Sequence, residues 1–285
     1  MINLDMEAFL EASILSIANQ LDDRFEIVVV DGGSQDRSIS ILRKMEALLP
    51  SLHVFELPRG NRTLGTDRNY SIMVAQGDYV LLHLDCDDLY YPFIKDWVTA
   101  FHLIEEVNGG KELLVAGCHI NMGKRSFLLK HGPYKDLVFE DRELWTRMNR
   151  IGNFVKLKHK DFVTRMPLSI RRKIIKIPKR ILIEMTENLE QPQNNVLTYA
   201  LREAYLFRKR SFIHFLFRIF ILPIAIIKAR RSKSDVLENN LSVFSSQDSM
   251  LREVSLTDLI EKHPNIINKN LFNTKSQSIY FDNKL

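Results

Sequence analysis

Val80-Leu81-Leu82-His83-Leu84-Asp85-Cys86-Asp87-Asp88 is the stretch that decides the fold. Its near-continuous apolar positions suit a strand covered on both faces of a sheet. Asp85, Asp87 and Asp88 follow at the strand's end. In open α/β sheets ligands bind in the crevice beyond the carboxyl ends of the strands. Three carboxylates this close repel one another, so they need a cation or strong donors to stay ionised. A hard divalent ion held by one or two carboxylates and by substrate phosphates meets that need. A turn with a helix N-cap explains the same aspartates, because Asp favours that position. On this segment alone both readings stand.

Two further segments have the same design. Residues 25–30 form another apolar strand, followed by Asp31-Gly32-Gly33-Ser34-Gln35-Asp36. Asp31 ends the strand, the glycines allow a tight turn, and Ser34 can cap a helix carrying Ile39, Leu42, Met45 and Leu49 at helical spacing. Gly65-Thr66-Asp67-Arg68-Asn69 opens a third element, with Thr66 as its N-cap and Gly77 as its C′ residue. Arg68 sits in the first helical turn, where a cation opposes the helix dipole. Its place there points to a ligand, with an exposed Arg of no role as the alternative.

In this order the segments resemble glycosyltransferase family 2, the inverting enzymes of GT-A fold. The resemblance rests on residues 26–36, on Asp67-Arg68-Asn69, on Gly77-Asp78-Tyr79-Val80, on Leu84-Asp85-Cys86-Asp87-Asp88, and on Phe139-Glu140-Asp141-Arg142-Glu143-Leu144-Trp145-Thr146-Arg147. It covers about residues 7–155 and implies a Rossmann-like mixed α/β sheet flanked by helices. It also implies roles. Asp31 would accept hydrogen bonds from the donor's base or ribose, with Gly33, Asp67 and Arg68 beside it on the donor side. Asp85 would touch the ribose or the metal shell. Asp87, in the Asp-x-Asp motif, would coordinate Mg²⁺ or Mn²⁺ across the diphosphate of a nucleotide sugar. Asp141 would be the general base, with Glu140 and Arg147 on the acceptor side. A metal neutralises a leaving diphosphate, and a carboxylate at the acceptor removes its proton. Without the other motifs, Glu140 and Asp141 would read as a helix N-terminus stabilised by its dipole.

The chain departs from the family pattern at its start. Family members open on an apolar strand and a Pro-x-Tyr-Asn-like turn. Here Met1-Ile2-Asn3 leads almost at once into an amphipathic stretch over residues 9–19. The expectation is that the first strand is lacking, that its neighbours keep bare ladder edges, and that the chain is a fragment or starts upstream.

With 285 residues, 45% hydrophobic and 26% charged, the chain can bury one sizeable core and an appendage. Cys86 and Cys118 form no disulfide framework, which fits a reducing compartment. Together with His83 and His119 they lack the spacing of a zinc site. Three domains are expected: 1–155 as the GT-A domain, 156–233 as a basic, apolar helical region, and 234–285 as a polar tail, mobile or loosely docked. Residues 156–180 hold ten Lys or Arg against one acid, Asp161. Residues 170–185 mix these cations with isoleucines, a pattern suited to an anionic membrane surface. Residues 212–227 are apolar, but 16 residues with Arg218 inside are short of the roughly 20 a spanning helix needs. Basic flanks on both sides argue against a simple span. The reading is an interfacial or re-entrant anchor, peripheral on the cytoplasmic face, with a buried core helix as the alternative. Such an appendage suits a lipid-linked or glycan acceptor. Nucleic acid is the competing partner for a chain of pI 9.1, but no recognition motif supports it.

The function expected is therefore hexosyltransferase-like transfer from a nucleotide sugar. An impaired relative that binds nucleotide or membrane is the alternative. A nucleotidyltransferase would need a glycine-rich, lysine-bearing N-terminal loop that is not present.

Overall fold

The computed structural model describes residues 1–60, 62–137, 140–166, 178, 181–183, 185–186, 189, 212–232 and 253–281. From the N-terminus, β1 (Ile2–Asn3), α1 (Leu10–Ala18), β2 (Ile27–Asp31), α2 (Ser38–Leu48), β3 (Leu52–Glu56), α3 (Leu64–Val74) and β4 (Tyr79–Leu82) alternate strand with helix. Then come β5 (Asp88–Tyr90), α4 (Ile94–Val107), β6 (Leu114–Ala116), β7 (Asn121–Lys124), α5 (Arg125–His131), α6 (Glu140–Arg150), β8 (Phe154–Lys158) and β9 (Val163–Arg165). The last described elements are α7 (Phe212–Ser232), β10 (Glu253–Ser255), α8 (Leu256–Lys262) and α9 (Thr274–Tyr280).

Side chains alternate across the sheet and so define two apolar layers. Tyr79 and Leu81 join one core cluster, and Val80 and Leu82 join the other. Val115 lies in the first cluster, while Leu114 and Ala116 lie in the second. The first layer is closed by Leu10, Ile14 and Ile17 of α1 and by Ile94, Trp97, Phe101 and Ile104 of α4. The second is closed by Ile72 of α3, Phe127 and Leu128 of α5, and Leu144 and Met148 of α6. Wholly apolar strands need this two-sided cover. The expectation of a mixed α/β sheet flanked by helices holds.

β1, β2 and β3 form a parallel set in the order β1-β2-β3. A second set runs β10-β8-β6-β7-β4, with β7 antiparallel to both of its neighbours. A bridge between Ile2 and Asp85 links the two. The expectation that the first strand is lacking is corrected here. Ile2 and Asn3 pair with Val30 and Asp31, and the Met1 amine donates to the Val28 carbonyl at 2.6 Å. Only two residues form the strand, fewer than a periodicity reading can detect.

The expected division of the chain is also corrected. One compact unit comprises 1–166 and 249–285, and the other comprises 167–248. Residues 253–281 are no loose tail. β10 pairs in parallel with β8, Lys156 meets Glu253 at 2.7 Å, and Phe272, Tyr280 and Phe281 lie in the first core layer. The Tyr280 hydroxyl donates to the Phe93 carbonyl at 3.0 Å. In the second unit, Ala225 and Ala229 of α7 pack with Ile181, Met185 and Leu189. Most of the basic stretch over 170–185, and residues 233–252, lie outside the described residues.

Candidate donor and base site

The site is built where the first unit's strands end. Beyond β4 the chain turns sharply at His83, whose φ is +68. The turn carries Asp85, Asp87 and Asp88 to one place, with carboxylate atoms within 4.8 Å of one another. Asp88 is buried at the start of β5, opposite Arg165 of β9. Burial pushes Asp88 up to about 7, with help from Asp87 and Asp85 and against the pull of Arg165. Crowded carboxylates of this kind suit a divalent cation, because oxygen-rich, anionic sites fit Mg²⁺ and Mn²⁺. The sequence reading gave the metal to Asp87 with Asp85 at the ribose or in the metal shell, and the geometry groups both with Asp88.

Arg68 joins this loop to the start of α6. Its buried guanidinium lies 3.5 Å from Asp85 and pairs directly with Glu140, and it stands over the Tyr134 ring at 5.7 Å. Burial pushes Glu140 up to about 7 although Arg68 pulls it down. Asp141, the next residue, is only half-buried, and its carboxylate accepts from the Arg142 amide at 2.8 Å. So the expected base stands at a helix N-terminus, one residue from a buried ion pair that reaches the aspartate loop.

Tyr134 went unnoticed in the sequence, and His83 was weighed only as a zinc ligand. The Tyr134 hydroxyl and His83 Nε2 are 2.9 Å apart. The Asn69 side chain holds both backbone groups of Tyr134, at 2.7 and 2.8 Å. Burial lowers His83 well below its usual value, so it is neutral. No spacing could have revealed this contact, because 51 residues separate the partners.

Five further residues of the expected site have partners within the chain. Asp31 is fully buried, and its carboxylate accepts from Asn3 Nδ2 at 2.6 Å, Gly33 N at 2.9 Å, Ser34 N at 2.7 Å and Ser34 Oγ at 2.6 Å. Its own loop and Asn3 of β1 supply these donors, so Asp31 shapes the turn. Arg147 grips Glu143 at 2.9 Å and the carbonyls of His131 and Pro133, the latter at 2.8 Å. It holds the loop before α6. Glu140 pairs with Arg68. Asp67 accepts from Arg62 Nε at 2.9 Å, and Gly33 adopts φ +86 against the Arg59 backbone.

A family model described as glycosyl transferase family 2 matches residues 1–176. YfnE of Bacillus subtilis (strain 168), an uncharacterized glycosyltransferase, is 35% identical over 72 residues, which are 25% of this chain and 18% of that protein. An uncharacterized glycosyltransferase of Haemophilus influenzae is 35% identical over 82 residues, 29% of this chain and 32% of the relative. Among solved structures, S. aureus TarS 1–349 in complex with UDP-GlcNAc has a TM-score of 0.48 at 17% identity, covering 74% of this chain and 71% of that one. The mannosyltransferase PcManGT from Pyrobaculum calidifontis, in complex with GDP-Man and Mn²⁺, has a TM-score of 0.47 at 14% identity, covering 83% and 74%. The family match extends over more than half of the 285 residues, and the chain belongs to glycosyl transferase family 2.

Proposed function

We propose that the chain transfers a sugar, with inversion, from a nucleotide-diphosphate sugar to an acceptor hydroxyl or phosphate. The observation that carries this is the linkage of the Asp85-Asp87-Asp88 cluster, through Arg68, to Glu140 and Asp141. A charge-stabilising group for a leaving diphosphate and a base for an acceptor are what such a transfer needs. Asp87, with Asp85 and Asp88, would hold Mg²⁺ or Mn²⁺, whose chemistry is to neutralise the departing nucleoside diphosphate. Arg68 adds a fixed positive charge near that diphosphate. Asp141 takes the acceptor's proton as the new glycosidic bond forms on the face opposite the leaving group. Glu140, paired with Arg68, orients the helix start that presents Asp141.

The proposal includes a peripheral position on the cytoplasmic face of a membrane and a lipid-linked acceptor. Its support is α7. No helix among the described residues is long and apolar enough to cross a membrane. One face of α7, with Arg218, Ala225 and Ala229, is buried, and the opposite face exposes Leu216, Phe220, Ile224 and Ile227. An exposed apolar stripe of this kind suits the interface of a bilayer.

The test is a thermal-shift panel of UDP-, GDP- and dTDP-sugars with Mn²⁺ on this chain and on Asp87→Ala. A donor at about 100 times its Kd adds about 2.7 kcal/mol. The expected result is a metal-dependent shift with one base, lost in the variant. No shift with any donor overturns the reading, and a shift without turnover favours the non-catalytic binder.

A further inference from the structure

Arg68 is buried, and its charge is useful only if the guanidinium keeps one orientation. Two acids hold it within its own plane. Glu140 pairs with one end of the guanidinium, and Asp85 lies 3.5 Å from the other. Neither stops the plane from rocking about the line between them. The Tyr134 ring meets the open face, 5.7 Å from the guanidinium carbon, which is within reach of a cation–π contact. Residues 134–136 are fastened to α3, the helix that carries Arg68. The Asn69 side chain takes both backbone groups of Tyr134. The Asp136 carboxylate accepts from the Thr63 and Thr66 hydroxyls, each at 2.6 Å. Gly65 lets the segment close in, since a Cβ there would lie 2.6 Å from the Lys135 carbonyl oxygen and 3.2 Å from Tyr134 Cβ. At the far end, the Tyr134 hydroxyl meets His83 in the turn that carries the aspartates. Packing with Ile72, Leu82 and Leu144 would bury a tyrosine without these polar ties. The ties fix which way its face points.

We propose that Tyr134 is a positioning residue: its ring sets the plane of the Arg68 guanidinium and so keeps that charge aimed between Asp85 and Glu140. α3 thus carries both the cation and the anchor of the ring beside it. The placement of Arg68 is independent of the proposed sugar transfer, and only its kinetic consequence rests on that reading. Negative charge grows on a leaving diphosphate as its bond to the sugar breaks. A preorganised cation is worth more to that state than to the bound donor. Losing the aim of Arg68 should therefore lower kcat more than it raises KM.

The test compares the full chain with Tyr134→Phe, Tyr134→Leu and Tyr134→Met. NMR relaxation of isotope-labelled arginine side chains reads the order of the guanidinium with no donor present. The Arg68 Nε–H signal is assigned by its loss in Arg68→Gln. Phe keeps the ring face, so Arg68 should stay as ordered as in the unaltered chain. Leu and Met keep apolar volume but remove the face, so the Arg68 signal should become more mobile. In turnover, Phe should stay within about 2-fold, while Leu and Met should lose about 10-fold in kcat with KM little changed, equal to about 1.4 kcal/mol and in the range of a desolvated cation–π contact. In an Arg68→Gln background the same replacements should cost no further kcat, because no charge is left to aim. Met, the more adaptable side chain, carries the test if the Leu variant does not fold. Equal order of Arg68 in all the forms overturns the proposal, whether or not any donor is turned over. So does a loss of order or of kcat in Phe equal to that in Leu and Met, or a loss that persists undiminished in the Arg68→Gln background. Absence of turnover in the unaltered chain counts against the sugar transfer alone and leaves the order of Arg68 to decide.

Discussion

Asp141 presents its carboxylate at a helix start, where it accepts a local hydrogen bond from the Arg142 amide. Replacing it with Asn keeps that bond and removes the base. Under the proposed reaction, turnover should fall about 10²- to 10⁴-fold, while Tm and the donor-induced shift stay as they are. Asp88 makes the second prediction. Its folded value, about 7, lies above the roughly 3.9 of an unfolded Asp. Between these values the folded state holds more protons than the unfolded one, so stability falls as pH rises through that window. Glu140, also near 7, acts with the same sign. Tm without metal should therefore drop from pH 5 to pH 7.5. Asp88→Asn should flatten part of the drop. Mn²⁺, which needs ionised ligands, should stabilise more at pH 7.5 than at pH 5, and equal stabilisation at both would remove Asp88 from the cation site.

At the scale of elements, turns and the sheet edge make the sharpest predictions. A Cβ on Gly33 would lie 2.5 Å from the Arg59 nitrogen, at a backbone angle that suits only glycine. Gly33→Ala should cost about 1–3 kcal/mol, as a strained backbone site does, seen as a lower denaturation midpoint. Tyr280 is buried beside Phe162 and Phe272 and anchors α9 to Phe93. Tyr280→Ala should cost about 3–5 kcal/mol, the usual loss for a large buried aromatic. Its effect on urea unfolding distinguishes a docked terminus from a loose one. These elements also show what the sequence could disclose. The strands ending at Asp31 and Leu82 were legible because apolar runs met turn residues and acids. β10 was not: Glu253-Val254-Ser255 has no periodicity of its own and becomes a strand only because β8 offers an edge. β1 was hidden for the same reason. In the site, the aspartates and Arg68 were legible from their places at element ends. The Asn3 amide that reaches Asp31 and the carbonyls that hold Arg147 were not, because they come from segments that only folding brings near.

At the scale of the whole molecule, each unit makes its own claim. The apolar stripe of α7 belongs to the second unit and can be altered apart from the first. Phe220 is 75% exposed. Phe220→Asp should leave Tm unchanged and sharply reduce co-sedimentation with anionic vesicles. Undiminished sedimentation would separate α7 from membrane contact.

The return of residues 253–281 to the first unit has a consequence for biosynthesis. The edge of β8 is made with residue 158, and the strand that covers it ends at residue 255. At the pace of translation, that interval lasts on the order of ten seconds. Throughout it the nascent first unit carries an uncovered sheet edge and an unfinished core, the features that recruit chaperones and invite intermolecular pairing. A ribosome stalled within 167–248 would thus release an adhesive product, although every carboxylate of the aspartate loop had already been made.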